Sequence, residues 1–230
     1  MPCEPMLRSA RFVVRPRLSR EFGSRGWDYF SRWKAEGEPA PPPSFPTAED
    51  GVVRPRAFFD IEFEGAAEKN GRIVFELATD IAPKTCDNFM KLCKGTGTYA
   101  YRGTTFHHVK STFVAGGDVI GDGGGGHAAD GLGEAGGSSG GRWMAEENFF
   151  IRHSEPGVLS MSQHGVDCIG SQFCISLVPN PQLDGRNVAF GRVVEGLDTT
   201  VKAISDTFAV KGAPLAAITV TDSGVLNESA

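Results

Sequence analysis

The chain has 230 residues, of which 40% are hydrophobic and 22% charged, so it can build a packed core and is not a disordered protein. Its formal net charge of -5 argues against a general nucleic-acid binder, and no apolar run approaches the ~20 residues of a transmembrane segment. The five cysteines are odd in number and form no CxxC pair, which favours reduced thiols in an intracellular protein over a disulfide framework or zinc site.

A basic, aromatic arm over residues 1–34 precedes the main domain. Residues 6–34 contain seven arginines and one lysine against two acids, together with two of the three tryptophans. Three interpretations stay open: a disordered basic tail, a docking arm that binds a protein partner through its aromatic side chains, and a mitochondrial targeting segment. The third interpretation places the protein in mitochondria, and the cytosol is the alternative.

Residues 35–56 are rich in proline and include the run PPP. Such a segment favours extended polyproline II structure and predicts a semi-rigid linker. We therefore expect the compact domain to occupy residues 57–227.

Two alternating segments open this domain. In RAFFDIEFEG the residues Phe59, Ile61 and Phe63 share one face, and GRIVFELAT repeats the pattern. Both segments predict β-strands, joined by a hairpin across residues 65–71.

The next segment, APKTCDNFMKLCKG, predicts a helix. Proline at position 83 suits a first helical turn, and Gly95 suits a C-terminal cap. One apolar stripe is predicted to face the core, formed by Cys86, Phe89, Met90 and Cys93.

Short β-like segments follow, including TTFHHV, GVLSMS, SQFCISLV, NVAFGRVV and AAITVTDSGVL, with a second helix near EGLDTTVKAIS. Many short strands with two helices favour a small closed barrel over alternating βαβ units.

A glycine-rich loop interrupts the series of strands, since thirteen of the thirty glycines fall between Gly116 and Gly141. It lacks the Gly-Lys-Ser/Thr ending of a phosphate-binding loop. We interpret it as a long surface loop, flexible or in contact with a partner, which Trp143 anchors to the barrel.

Long blocks of the chain, in order, resemble the cyclophilin family of peptidyl-prolyl cis-trans isomerases: FFDIEFEG, GRIVFELATDIAPKTCDNFMKLCKG, YRGTTFHHV, FVAGGD, EENFFIRHSEPGVLSMS, GSQFCIS and LDGRNVAFGRVVEG. The resemblance implies a mainly β fold, a closed eight-stranded antiparallel β-barrel capped by two α-helices, with an N-terminal extension. It also implies a groove for X-Pro peptides on the outer face.

Rotation about an X-Pro amide crosses a barrier of ~18–20 kcal/mol and needs no nucleophile, metal or cofactor. The site must instead grip the proline ring, hold the flanking peptide and direct a strong donor to the prolyl nitrogen. The resemblance implies that this donor is an arginine directly after Phe-His. This chain has Phe106, His107 and His108 there, so a short imidazole replaces the guanidinium.

The other groove positions are assigned by the same resemblance. His107, His108 and Gln172 are the candidate catalytic residues. The candidate proline-pocket and peptide-binding residues are Phe113, Val114, Ser162, Gln163, His164, Cys174, Gln182, Leu183 and Asn187. Of the residues typical of the family, a glutamine is missing before Gly116, Cys174 replaces an aromatic residue, Gln182 a tryptophan and Asn187 a histidine.

We predict no metal site, since adjacent strand residues such as His107 and His108 point to opposite faces. Two functions remain open. The first is a binding or structural subunit of a larger assembly, docked through residues 1–56, with an impaired isomerase site. The second is a slow isomerase or folding helper in which His108 and Gln172 carry the chemistry.

Overall fold

Eight antiparallel strands form one sheet in the computed structural model, which describes residues 45–48, 51–133 and 141–226. The strands are β1 (Arg56–Phe63), β2 (Gly71–Leu77), β3 (Phe106–Val109), β4 (Phe113–Gly116), β5 (Val158–Gln163), β6 (Ile169–Ser176), β7 (Val188–Glu195) and β10 (Ile218–Leu226). Two further short strands, β8 (Ala209–Val210) and β9 (Ala213–Pro214), form a separate hairpin. The predicted arm, residues 1–34, lies outside the described residues.

The sheet curls until its two edge strands meet. Its order is β10-β1-β2-β7-β5-β6-β4-β3, and an isolated bridge pairs Thr105, just before β3, with Thr219 of β10. The amide of Val220 also donates to the carbonyl of Thr104 at 2.9 Å. The edges therefore almost close, and the predicted eight-stranded barrel is confirmed.

Two helical elements accompany the barrel, as predicted. Helix α1 (Pro83–Lys94) begins at the expected proline and ends at Gly95, whose left-handed φ of 60° suits the cap. The second helical element is a π-helical turn, Leu197–Val201, that continues into the short helix α2 (Lys202–Ser205). The predicted β1–β2 hairpin contains the 3-10 turn Ala67–Lys69.

Aromatic rings dominate the barrel interior. The ring of Phe59 contacts those of Phe75 and Tyr101 edge-on, with centroids 5.1 and 5.3 Å apart, and Phe89 of α1 packs on the same cluster. Three residues of the predicted helical stripe are buried, namely Cys86, Phe89 and Cys93, whereas Met90 is only partly covered. Leu92, which was not part of the predicted stripe, is fully buried as well. This core fixes which face of each strand points inward.

A second, smaller apolar cluster involves a residue from the predicted linker. Phe45 is only 3% exposed and packs with Ala78, Ile151, Val158 and Ala189. The guanidinium groups of Arg54 and Arg192 lie 5.6 and 5.3 Å from the centre of its ring. Part of the linker is thus fixed to the barrel.

Arg54 holds this segment in place. Its side chain is buried, donates to both carboxylate oxygens of Asp80 at 2.8 and 2.7 Å, and donates to the carbonyl of Pro46 at 2.7 Å. Because a buried charge is tolerated only when it is paired and hydrogen-bonded, these contacts explain how an arginine can be buried here.

Candidate functional site

The outer faces of β3, β4, β5 and β6 carry one row of small and polar side chains. The strand register places His108 opposite Ala115, Ala115 opposite Cys174, and Cys174 opposite Ser160. Their sequence neighbours Val109, Val114, Ile175 and Leu159 are part of the barrel core. Since side chains alternate along a strand, the row faces away from the barrel interior, on the side where the resemblance puts the peptide groove, and its members Ala115, Cys174 and Ser160 are themselves buried.

The imidazole of His108 lies nearly parallel to the phenyl ring of Phe113, with a centroid distance of 5.9 Å and an angle of 20° between the planes. A register irregularity between Phe106 and His108 lets Phe106 enter the core while His108 faces outward. The structure therefore brings the two residues together, as the proline-peptide interpretation requires.

The tip of the β8–β9 hairpin covers the edge of the His108 ring. A β-carbon on Gly212 would stand 2.5 Å from Cε1 and 2.8 Å from Nε2 of His108. Nε2 is buried and has no hydrogen-bond partner among the described residues. This nitrogen therefore points at the hairpin backbone and not at open solvent.

Burial also keeps both adjacent histidines uncharged. It lowers the pKa of His107, against the opposing effects of the Asp118 charge and a hydrogen bond with the Thr105 backbone. Burial also lowers the pKa of His108, and repulsion from the charge of Lys110, and from His107 whenever that ring is protonated, lowers it further. Near neutral pH the residue in the place of the arginine is thus a neutral imidazole.

A cation does lie beside Phe113, but it belongs to Lys110. The ammonium nitrogen stands 5.2 Å from the centre of the Phe113 ring, within the range of a cation–π contact. Lys110 was not among the predicted site residues, although its spacing of two from His108 on a strand gave a signal for a shared face.

Cys174 lies beneath the candidate groove. Its thiol is almost fully buried, lies 3.1 Å from the hydroxyl of Ser160 and accepts a hydrogen bond from Nδ2 of Asn187 at 3.4 Å. Burial raises the pKa of this thiol, although both hydrogen bonds oppose that effect. The thiol is therefore protonated near pH 7.

The groove continues from Asn187 to Leu183. The amide of Asn187 donates to the carbonyl of Leu183 at 2.9 Å, and the 3-10 turn Pro181–Leu183 leaves Leu183 half-buried and Gln182 exposed. Hydrogen bonds, strand pairing and ring stacking thus connect five of the predicted site residues, namely Leu183, Asn187, Cys174, Phe113 and His108.

Gln172 and Ser162 stand on the outer face as well. Each lies two residues from a member of the central row, Cys174 and Ser160 respectively, and both are half-buried. Val114 is different, because its side chain is fully buried in the core and has no surface for a peptide. The inclusion of Val114 among the peptide contacts is therefore corrected.

His164 belongs to a neighbouring surface built around Trp143. The two rings stack with centroids 5.4 Å apart, and the guanidinium of Arg142 lies 4.6 Å from the centre of the Trp143 ring. Gln163 is exposed and its amide donates to the carboxylate of Glu146. A β-carbon at Gly125 or Gly170 would meet the Trp143 ring at 2.8 Å, which explains why only glycine fits there.

The described part of the glycine-rich loop has defined structure. The carboxylate of Asp118 accepts hydrogen bonds from the amides of Ile120, Gly121 and Gly123 at 3.2, 2.9 and 2.8 Å. Arg142 donates to Asp122 and to the carbonyl of Gly126, at 3.0 and 2.7 Å. Trp143 packs against this loop as expected, and residues 134–140 lie outside the described residues.

A buried histidine supports the turn that carries Leu183. Nδ1 of His153 lies 3.0 Å from Oδ1 of Asp184, and the His153 amide donates to the same oxygen at 2.8 Å. His153 is fully buried and was not among the predicted residues. Its side chain holds Asp184, and hence the neighbouring Leu183, against the barrel.

Within the described ranges, no three His, Cys, Asp or Glu side chains converge as ligands for a metal ion. No helix within those ranges has the length and apolar character needed to cross a membrane.

Fold and groove together define a cyclophilin-type barrel. Residues 58–225 match the model of the family described as cyclophilin type peptidyl-prolyl cis-trans isomerase/CLD. The chain is 38% identical over 185 residues to peptidyl-prolyl cis-trans isomerase D of Kluyveromyces lactis, covering 76% of this chain. It is also 38% identical over 182 residues to the NK-tumor recognition proteins of Mus musculus and Homo sapiens, covering 75% of this chain.

The chain belongs to the cyclophilin-type peptidyl-prolyl cis-trans isomerase family. It spans 46% of the length of the Kluyveromyces protein and 12% of each NK-tumor recognition protein.

Proposed function

We propose that the domain binds proline-containing peptides as a subunit of a larger assembly and isomerises the X-Pro bond only weakly. The supporting observation is the state of His108, which stands where the family has its arginine. Its pKa is lowered, so it carries no fixed positive charge, and its Nε2 is covered by Gly212 and cannot donate to a peptide. Removal of one transition-state donor typically costs ~10²–10³ in rate.

Retention of the remaining groove supports peptide binding. Phe113 and Leu183 provide apolar contacts for a proline ring, and Gln172 offers an amide for the flanking backbone. Cys174 offers less apolar contact than the aromatic residue that the family resemblance implies at this position, so we expect weak binding of cyclosporin-type ligands. Titration of the full chain with an Ala-Ala-Pro-Phe peptide, followed by NMR, tests this binding, and unchanged spectra at millimolar peptide would contradict it.

Docking through the N-terminal arm is the second part of this proposal. The experiment compares proteins that co-purify with the full chain and with a chain lacking residues 1–40. This truncation leaves Phe45 and Arg54, which pack on the barrel, in place. We expect the partner to be lost on truncation, and equal recovery with both chains would contradict the role of the arm.

A slow but functional isomerase is the second candidate, because Gln172 stays on the outer face and a cation lies over Phe113. If His108 and Gln172 carry residual chemistry, His108→Ala abolishes the catalysed exchange between cis and trans peptide. Unchanged exchange in that variant would contradict a role for His108.

A further inference from the structure

Lys110 faces the candidate groove because of its pairing across the β3–β4 turn. Its amide donates to the carbonyl of Phe113 at 2.9 Å, so the two residues stand opposite each other. Side chains of an opposed pair leave the sheet on the same face, and so do those of residues two apart on one strand. Lys110 therefore shares the outer face with both Phe113 and His108.

The ammonium group of Lys110 is not neutralised by a neighbour. No carboxylate of the described residues lies within ion-pair distance, 4.0 Å, of its nitrogen. Asp206, which borders the same surface depression as Lys110, is paired with Lys202 at 2.8 Å. The contact described for the Lys110 ammonium is that with the Phe113 ring.

We propose that the ammonium of Lys110 takes the place of the missing arginine as the cation acting on a bound X-Pro amide. This inference rests on the proposed function, because it requires the proline ring to sit against Phe113. When the amide twists, its resonance is lost and the prolyl nitrogen regains a lone pair that accepts a hydrogen bond. An ammonium offers three donors on a flexible four-carbon stem, so it can reach such a nitrogen, although less rigidly than a guanidinium.

The test measures catalysed cis–trans exchange of an Ala-Ala-Pro-Phe peptide by NMR magnetisation exchange, with the full chain and three variants. Lys110→Gln removes the charge, and Lys110→Arg keeps it. Lys69→Gln makes the same charge change on the 3-10 turn between β1 and β2, outside the groove. We expect Lys110→Gln to lower kcat about tenfold with KM nearly unchanged, the loss expected for one charge-assisted hydrogen bond.

Lys110→Arg should keep at least the activity of the unaltered chain, and Lys69→Gln should match it. A purely structural role for Lys110 would not give a loss in kcat alone that arginine rescues. Equal activities of Lys110→Gln and Lys69→Gln would overturn the inference. The inference would also be overturned if the unaltered chain bound the peptide but did not catalyse its exchange. The proposal that the domain binds proline-containing peptides would still hold in that case. Absence of any peptide binding would overturn the proposed function and, with it, this inference.

Discussion

The backbone of Gly212 lies against the imidazole of His108, where a β-carbon would stand 2.5 Å from Cε1. The amide of Val109, the next residue of β3, donates to the Gly212 carbonyl at 2.7 Å, so the contact is fixed by a backbone hydrogen bond. Gly212 has φ +91°, a conformation that residues with a β-carbon rarely adopt. The hairpin and the histidine are therefore mutually constrained, and the residue in the arginine's place is packed and not free.

Gly212→Ala should lower the free energy of unfolding by about 2 kcal/mol, because backbone strain and a clash with His108 add together. Gly103→Ala is the matched control, since Gly103 has φ +87° and open space around its β-carbon position. We expect Gly103→Ala to lower the free energy of unfolding only by the cost of backbone strain, about 1 kcal/mol. Urea unfolding measures both, and equal losses would contradict the contact.

A double-mutant cycle isolates the pair. In a His108→Ala background, Gly212→Ala should cost about 1 kcal/mol less than in the unaltered chain, because the ring that meets the new methyl group is gone. Strictly additive effects of the two substitutions would show that the hairpin does not press on His108.

Phe45→Ala should destabilise the domain by about 3 kcal/mol, because it empties a buried site in the second apolar cluster. Phe150→Ala is the control, since Phe150 is 77% exposed. We expect the control to stay within about 0.5 kcal/mol of the unaltered chain in urea unfolding. A similar small effect of Phe45→Ala would mean that the linker residue is not part of the folded domain.

Thiol labelling should distinguish the four cysteines of the described residues. Cys86, Cys93 and Cys174 are buried, and burial raises the pKa of each thiol, whereas Cys168 is half-exposed. Because the thiolate is the reactive form, iodoacetamide should modify Cys168 in the native protein and the other three only after unfolding. Peptide mass spectrometry identifies the labelled sites, and rapid native labelling of Cys174 would contradict its burial.

The two histidines make stability depend on pH in a defined direction. Their pKa values are lowered in the folded state, so the unfolded chain binds more protons as the solution becomes acidic. Their contribution to the free energy of unfolding is fully present above the unfolded-state pKa of about 6.5. It is lost as the pH falls through the lower pKa values of the folded state. A His107→Gln, His108→Gln double variant should therefore lose less stability between neutral and acidic pH.

NMR titration checks the same claim residue by residue. We expect the imidazole resonances of His107 and His108 to titrate below the pH of about 6.5 of an unperturbed histidine. A midpoint above that value for either ring would contradict the effect of burial.

The sequence pattern alone predicts those strands and helices in which the spacing of hydrophobic residues matches their burial in the folded domain. The alternation of Phe59, Ile61 and Phe63 predicted β1, and all three side chains are buried. Proline 83 and Gly95 predicted both ends of α1 because their backbone preferences act locally.

The remaining features depend on contacts between distant parts of the chain. Phe45 stands in a proline-rich segment whose composition indicates a linker, and only its partners 33 or more positions away show that it is buried. The position of Gly212 against His108 joins two hairpins over a hundred residues apart. Val114 was assigned to the pocket by resemblance, whereas the alternation of its strand places it inside the barrel.

The most direct test of the whole account measures the catalysed exchange of an X-Pro peptide by the full chain and by a cyclophilin that carries the arginine after Phe-His. We predict that this chain binds the peptide but accelerates exchange about 100-fold less at saturation, since His108 carries no fixed charge and the flexible Lys110 ammonium replaces a rigid guanidinium only in part. Turnover equal to that of the arginine-bearing protein would contradict an impaired site.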